Sequence, residues 1–247
     1  MHRNRLQLAA SARRATALAI LATALSGCQS ITGSQPFTQV RVIDASPDAP
    51  NLDIYQNSQA SLYNVGFGTV SSYIPTAPGA TVHTAYLAGT QQQLAQVHGA
   101  FAAGTEYTVL AGNIAADLQM SVLKDQSTPA PAGQVALRFL GQATRAGAVD
   151  LYLLPPGAGL TGIAPIAAGV GFGGNTGYIN VPNGTYSIVA FPSGAVPAVS
   201  SPAFTGSQES YPGGAARTIV LIDQPQPDRA AAPGLQIITA DDYDPAS

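Results

Sequence analysis

The chain of 247 residues is weakly charged, since only 9% of its residues carry a charge while 46% are hydrophobic. Its formal net charge of −3 argues against binding to nucleic acid or to acidic lipid headgroups by charge. A single cysteine excludes a disulfide within the chain, and 26 glycines with 19 prolines favour a fold rich in turns and poor in helices.

Residues 1–27 are typical of an export signal. Four arginines, beginning with Arg3, precede an apolar run over residues 15–25. That run is too short for a membrane-spanning helix, which needs about 20 residues. It ends in Leu-Ser-Gly-Cys at residues 25–28, which resembles a bacterial lipobox. The resemblance implies cleavage before Cys28 and acylation of this cysteine, although an ordinary secretory signal stays open as the alternative.

We therefore expect the mature protein to be held at the membrane by the lipid on Cys28, with residues 28–38 as a tether. Gln29, not an aspartate, follows the cysteine. By analogy with Gram-negative sorting, this favours the outer membrane, and the face of the membrane stays open. Without the four arginines of the signal, 6 basic and 13 acidic side chains remain, which gives a net charge of −7.

Residues 40–55, VRVIDASPDAPNLDIY, predict two strands joined by a rigid turn. Apolar and polar residues alternate on both sides of the turn, which is the period of half-buried strands. The turn at residues 46–50 contains two prolines and an aspartate, which restrict the backbone and bond it locally. Further strands are predicted over residues 80–87, 106–111 and 118–123, and almost no helix is predicted because no 3.6-residue period is sustained.

The pattern restarts after a proline-rich linker at residues 127–133. Leu-Asp-Ile-Tyr at residues 52–55 recurs as Val-Asp-Leu-Tyr at 149–152, and Val-Gly-Phe-Gly at 65–68 recurs at 170–173. The spacing between matches grows along the chain, so the second copy has gained loops in its glycine- and proline-rich stretches. We predict an all-β protein with two tandem immunoglobulin-like β-sandwich domains, over residues 39–126 and 134–247.

The opening VRVIDASPDAPNLDIY, followed by NVGFGTVSSYI at residues 64–74, resembles the bacterial family catalogued as domain of unknown function 4397. The resemblance covers residues 39–125 well and 134–242 weakly. It implies an exported or lipid-anchored β-sandwich with no established reaction. In the second copy Ala-Thr-Arg-Ala-Gly at residues 143–147 replaces the Ser-Pro-Asp-Ala-Pro turn, so a site at this turn would exist only in the first copy.

The candidate binding or turn motif consists of Asp44, Ser46, Asp48 and Asp53. Its three carboxylates are oxygen ligands of the kind that Ca²⁺ takes, but their spacing is not that of an EF-hand. A role in capping turns, with the carboxylates exposed to solvent, is favoured over calcium. The recurrence of Asp53 as Asp150 also favours a structural role, such as a bond to the backbone of a neighbouring strand.

No cofactor, metal site or catalytic residue is predicted. His83 and His98 are the only histidines after the signal, and a zinc site would need further ligands from carboxylates. A Ser-His-Asp arrangement stays open, although no G-x-S-x-G motif supports it. The glycines of residues 65–68 and 170–173 lead into strands rather than helices, so we interpret them as tight turns and not as a phosphate cradle.

Five tyrosines of the first copy suggest a sugar-binding face, although the absence of tryptophan weakens this interpretation. They are Tyr55, Tyr63, Tyr73, Tyr86 and Tyr107. The favoured function is that of a lipid-anchored, non-catalytic cell-envelope protein that binds an envelope protein or a glycan, with the loops of the second copy as candidate contacts. Assembly through exposed edge strands and, less favoured, an envelope hydrolase remain as alternatives.

Overall fold

A computed structural model of the chain describes residues 36–197, 199–224 and 234–245. The predicted export signal, Cys28 and the predicted tether up to residue 35 lie outside the described residues. From Phe37 onward the chain forms one compact unit. The unit is all-β, apart from one short 3-10 turn at Ala115–Asp117, and contains two β-sandwiches, as the sequence predicted. None of the described helical segments has the length and apolarity needed to cross a lipid bilayer.

Each sandwich contains eight strands. The strands of the first sandwich are β1 (Thr38–Asp44), β2 (Leu52–Gln56), β3 (Gln59–Val65), β4 (Ile74–Thr76), β5 (Gly79–Leu87), β6 (Gln93–Phe101), β7 (Glu106–Gly112) and β8 (Gln119–Lys124). Those of the second sandwich are β9 (Gln134–Gly141), β10 (Val149–Leu154), β11 (Ala167–Val170), β12 (Asn175–Pro182), β13 (Gly184–Pro192), β14 (Phe204–Tyr211), β15 (Ala216–Asp223) and β16 (Leu235–Tyr243).

The two sandwiches have the same strand order. In the first, the sheet β4-β1-β7-β8 packs on the sheet β3-β2-β5-β6; in the second, β12-β9-β15-β16 packs on β11-β10-β13-β14. Both contain one parallel pair, β1 with β7 and β9 with β15, among antiparallel neighbours. We call β4-β1-β7-β8 and β12-β9-β15-β16 the inner sheets, because they face each other, and the other two the outer sheets.

The first strand of each sandwich is buried on both faces. Val40 and Val42 of β1 point into the core of the first sandwich, whereas Ile43 packs against Leu140 and Val220 of the second. The expectation that β1 is half-buried, with one face toward water, was therefore wrong. Its second face is covered by the other inner sheet, and this apolar contact between the inner sheets forms what we call the joint.

The joint also contains a buried ionic network. Arg41 on β1 forms an ion pair with Asp242 of the second sandwich, and Arg138 on β9 pairs with Asp125 of the first at 2.5 Å. All four charged side chains are at most 3% exposed. Arg41 also lies 3.7 Å from Asp125 of its own sandwich. The closest carboxylate partner of each arginine nevertheless comes from the opposite sandwich, which ties the two inner sheets together.

Hydroxyl groups complete this network on each side. The Nε of Arg41 donates to Thr108, which donates in turn to Asp125 at 2.6 Å. The phenol of Tyr73 donates to the same carboxylate at 2.8 Å, and the ring of Tyr73 lies 4.8 Å from the Arg41 guanidinium carbon. The second sandwich repeats these contacts through Arg138, Thr218, Asp242 and Tyr178. Buried charges need such partners, because an unpaired charge in an apolar joint is costly.

Candidate functional site

The four residues of the predicted turn motif do not share one surface. Asp44 and Ser46 are fully buried, Asp48 is exposed, and Asp53 lies on the outer sheet of the first sandwich. For Asp44 and Asp53 the expectation of carboxylates exposed to solvent was therefore wrong. The turn itself is present between β1 and β2, with Pro50 at its end.

Asp44 is the least satisfied group of the motif. Its Oδ1 accepts a hydrogen bond from the backbone N–H of Ser46 at 3.0 Å, whereas its Oδ2 is buried without a partner. Burial raises the pKa of Asp44 from 3.8 to about 6, and the bond from Ser46 offsets part of this effect. Alternation along β1 turns Asp44 toward the core of the first sandwich. The carboxylate is therefore shielded from the water that would otherwise stabilise its charge.

Ser46 and Asp48 fix the turn against the segment that follows β7. The hydroxyl of Ser46 donates to the carbonyl of Asn113 at 2.6 Å, and Asp48 accepts from the N–H of Ala115 at 2.7 Å. The second sandwich, which lacks this motif, uses Asp223 instead: its carboxylate accepts from the N–H and the hydroxyl of Thr144, both at 2.8 Å. A carboxylate therefore holds the turn in both sandwiches. In the first it belongs to the turn itself, as Asp48, and in the second it belongs to the end of β15, as Asp223.

Asp53 and Asp150 bond the backbone of neighbouring segments, as the sequence suggested. Asp53 accepts from the N–H groups of Asn64 and Gly89, both at 2.8 Å. Asp150 accepts from Gly194 at 2.9 Å and from Gly169 at 2.7 Å, and the bond from Gly194 contributes most to lowering its pKa. A carboxylate bonded by backbone donors is stable in its charged form, so these residues serve the fold.

The calcium alternative finds no support in this geometry. Within the described residues, no three side chains of histidine, cysteine, aspartate or glutamate are grouped closely enough to hold a metal ion. Asp48 and Asp53 are bonded to different backbone segments, and Asp44 is buried below the turn.

The glycine motifs are turns that close on the first strand of each sandwich. The N–H of Gly68 donates to the carbonyl of Asp44 at 2.8 Å, and that of Gly173 donates to Gly141 at the same distance. Both donors have φ near +80°, a conformation that glycine adopts without strain. Each motif thus leads back to the inner sheet, as expected for a tight turn.

The two histidines lie on opposite faces of the first outer sheet. His83 is 2% exposed and packs edge-to-face on Phe101, with 5.3 Å between the ring centroids. Its Nδ1 has no partner, and burial lowers its pKa to about 4. His98 pairs across the sheet with Val82 and is exposed. The two imidazoles therefore do not meet in a common site.

Three of the five tyrosines share the solvent side of the first outer sheet. Tyr55 and Tyr86 are in edge-to-face contact at 5.0 Å, and Tyr63 on the neighbouring strand β3 is 69% exposed. The other two lie elsewhere: Tyr73 belongs to the joint, and Tyr107 is buried, with its hydroxyl accepting from the N–H of Ala102. The expected aromatic face therefore contains Tyr55, Tyr63 and Tyr86, which we call the tyrosine face.

The tyrosine face is almost free of charge. Strands β2, β3, β5 and β6 contain no lysine, arginine or glutamate, and Asp53 is their one aspartate. Its carboxylate accepts hydrogen bonds from backbone N–H groups. Gln93 and Gln96 of β6 are exposed on the same sheet. The surface thus offers aromatic rings, hydroxyl groups and amides.

The corresponding face of the second sandwich is covered. Its buried aromatic and aliphatic residues are Tyr152, Val189 and Phe191, and they pack against Leu160 and Ala195. Leu160 and Ala195 belong to the two glycine- and proline-rich loops of the second sandwich, which sequence analysis had considered as contacts for a partner. Part of each loop instead shields its own outer sheet, so only the first sandwich leaves this face open.

A cleft of about 560 Å³ opens between the two sheets of the second sandwich, alongside β14 and β16. Apolar residues such as Phe204 and Ile237 line it together with the charged residues Glu209, Arg217 and Asp241. The sequence did not indicate this cleft, because β14 has the pattern of a polar strand and nothing in that pattern shows that the sheets separate beside it.

A family model described as a domain of unknown function (DUF4397) matches residues 38–152, from β1 into β10. The expected resemblance to this family is confirmed for that part of the chain. Among solved structures, the chain is similar to CBMbc (family CBM26) of Amy13K from Eubacterium rectale, crystallised in complex with maltoheptaose. The likeness covers 81% of this chain and 95% of that one, at 10% identity and a TM-score of 0.22. No curated protein matches the chain.

Proposed function

We propose that this is a lipid-anchored, non-catalytic protein of the cell envelope that binds a neutral glycan on the tyrosine face of its first sandwich. The observation that carries the proposal is the open, nearly uncharged face formed by Tyr55, Tyr63 and Tyr86, whose counterpart in the second sandwich is covered by loops. In this proposal the first sandwich binds the glycan, and the second sandwich packs against it at the joint.

The chemistry of the face suits a sugar chain. Tyrosine rings combine a large apolar surface with a hydroxyl that can bond to water or to a ligand. The C–H groups of a pyranose can pack on such rings, while amide side chains such as those of Gln93 and Gln96 can bond the sugar hydroxyls. The net charge of −7 after the signal disfavours acidic polymers, and the uncharged face offers no partner for strongly basic ones.

Anchoring would keep the binding face close to the membrane. Residues 28–37 link the proposed lipid on Cys28 to β1, and ten extended residues span at most about 35 Å. The lipobox supports this anchor, and Gln29 favours the outer membrane. The partner would accordingly be a polysaccharide within reach of that membrane.

A hydrolase that uses both histidines is disfavoured by their separation. A general base must lie within hydrogen-bond reach of the group that it serves. His83 is enclosed in the core with a lowered pKa, and His98 is on the opposite face of the sheet, away from a second imidazole. A hydrolase built on these two histidines would need both on one surface.

Replacing Tyr63 with alanine is expected to weaken glycan binding about tenfold, which corresponds to about 1.4 kcal/mol for the loss of one stacked ring. The measurement is affinity electrophoresis and isothermal titration of residues 29–247 with amylose, soluble cellulose oligomers and chitin oligomers. Phe172→Ala is the matched control, because Phe172 is an exposed aromatic residue of the second sandwich. It should bind as the unaltered protein does.

The proposal fails if the unaltered protein retains none of these neutral polymers. It also fails if Tyr63→Ala and Phe172→Ala weaken binding equally, since the tyrosine face would then have no special role. Retention by an acidic polymer alone, such as heparin, would contradict the argument from charge.

A further inference from the structure

The cleft of the second sandwich has no counterpart in the first. In the first sandwich the edge strands β6 and β8 lie close together: a Cβ added to Gly99 would lie 3.3 Å from Val122. In the second sandwich the equivalent strands are β14 and β16, and a cleft of about 560 Å³ lies beside them. This volume is in the range of small-molecule sites, which is about 300–1,000 Å³.

The sequence of β14 explains the opening. Between Phe204 and Tyr211 the strand carries Thr-Gly-Ser-Gln-Glu-Ser, so only small and polar side chains are available to close the edge. In β6, Leu94 and Val97 pack against the first core, and Phe101 is buried in it. A strand without such apolar side chains cannot seal its edge of the sandwich, and the space stays open.

The lining of the cleft combines polar residues with an apolar part, which we call its floor. Ile188, Phe204 and Ile237 form this floor, and the exposed carboxylate of Glu209 and the ring of Tyr211 also line the cleft. Glu209 and Tyr211 are two residues apart on β14, so their side chains lie on the same face of the strand. Burial and the charge of Glu209 raise the pKa of Tyr211 to about 12, and the charge of Arg217 opposes part of this rise.

The arginine of the cleft is not available to an anion. Arg217 is 2.7 Å from Asp241, is paired with Asp244, and donates to the carbonyl of Tyr243 at 2.8 Å. Glu209 accepts a bond from Ser207 and has no ion-pair partner within the part of the chain that the structure describes. The cleft therefore has an excess of negative charge next to an aromatic ring.

We propose that this cleft binds a linear alkylammonium group, with its methylene chain on the apolar floor and its ammonium between Glu209 and the ring of Tyr211. A cation is attracted by a carboxylate and by the face of an aromatic ring, and an apolar chain gains from leaving water. The hydroxyl groups of Ser207 and Thr239, which also line the cleft, can accept the remaining ammonium hydrogens. The same chemistry is found in polyamines and in lysine side chains.

The test is isothermal titration of residues 29–247 with 1,6-hexanediamine, at low and at moderate salt. Binding is expected for the diamine and not for 1-hexanol or hexanoate, and it should weaken as salt increases. Glu209→Gln is expected to weaken binding about tenfold. Asp117→Asn is the matched control, because Asp117 is an exposed carboxylate of the first sandwich, and it should change nothing.

Two further ligands separate the sources of the ammonium group. Spermidine represents a free polyamine, and an N-acetylated, C-amidated lysine represents the side chain of a partner protein. Binding of either one supports the cleft as an alkylammonium site and identifies its source. Chemical-shift changes on titration should be confined to β13, β14, β15 and β16, whose residues line the cleft.

The proposal is overturned if hexanediamine does not bind, or if hexanol binds equally well. It is also overturned if Glu209→Gln binds with unchanged affinity, or if the shifts map to the tyrosine face. None of these results depends on whether the protein binds a glycan, so the two sites can be judged separately.

Discussion

Replacing Arg41 with methionine is expected to lower the free energy of unfolding by about 3–5 kcal/mol. The substitution leaves Asp242 buried without its ion-pair partner, although Thr218 and Tyr178 still donate to it. Burial already raises the pKa of Asp242, and Arg41 is the strongest opposing influence. Without Arg41 the carboxyl group must take up a proton or remain charged in an apolar joint, and both are unfavourable at neutral pH.

Urea unfolding of residues 29–247 at pH 7 measures this loss. Arg217→Met is the control, because Arg217 pairs with Asp241, whose side chain is 61% exposed, and an exposed pair contributes only about 0–1 kcal/mol. Arg138→Met should cost about as much as Arg41→Met, since it holds the corresponding position. Adding Asp242→Asn to Arg41→Met should restore part of the stability by removing the stranded charge.

Equal losses for Arg41→Met and Arg217→Met would contradict this account of the joint. So would a double variant, Arg41→Met with Asp242→Asn, whose loss is simply the sum of the two single losses. Residues in one network are expected to be coupled, with an interaction energy of about 0.5–3 kcal/mol.

Replacing Asp44 with asparagine is expected to stabilise the protein at pH 7 by at most about 3 kcal/mol, because the pKa of this buried carboxyl is raised from 3.8 to about 6. Asparagine keeps the acceptor for the N–H of Ser46 and removes the charge. Its amide nitrogen takes the place of Oδ2, which has no partner, so the cost of burying an unpaired donor reduces this gain. Between pH 4 and 6 the folded protein holds a proton on Asp44 that the unfolded chain releases. Its contribution to stability therefore falls as pH rises through this window and stays low above it.

His83 has the opposite dependence on pH. Its pKa is lowered from 6.5 to about 4, so between these values the unfolded chain binds a proton that the folded protein excludes. Its contribution to stability therefore falls as pH decreases from 6.5 to 4. The two contributions are similar in size and opposite in sign, so they should largely cancel in the unaltered protein.

Chemical denaturation between pH 4 and 7 separates the two groups. Asp44→Asn should show stability that rises with pH relative to the unaltered protein, and His83→Leu should show the reverse. Taking differences from the unaltered protein removes the contributions of groups that both share. If Asp44→Asn changes stability by the same amount at every pH, the carboxyl group does not titrate in this window, and its buried position does not control stability.

The strand pattern predicted much of the fold but not the environment of its strands. Alternation located β1, β2, β5, β7 and β8, because each has apolar residues at every second position. It could not show what covers the other face of a strand. Asp44 was expected to face water, and it is buried because it lies on the core side of β1. Arg41 lies on the other face of β1, which the second inner sheet covers. Alternation with a period of two shows which residues share a face of a strand, but it does not show what that face packs against.

The candidate sites show the same limit. Tyr73 and Thr108 of the first sandwich correspond to Tyr178 and Thr218 of the second, and all four belong to the ionic network. The sequence does not indicate the contact across the joint, since its partners are separated by as many as 201 residues. The sequence predicted three of the tyrosines of the tyrosine face correctly. It did not predict the cleft beside β14, because the sequence of a single strand does not show whether two sheets separate.

The crossed pairing of Arg41 with Asp242 and of Arg138 with Asp125 also has a consequence for descent. Each inner sheet presents a cation and an anion in the same arrangement, so it is complementary to another sheet of its own kind. A shortened gene that encoded a single sandwich would still produce the complementary surface, and two such chains could meet as the halves do in this one. An odd number of sandwiches would leave one such surface unmatched.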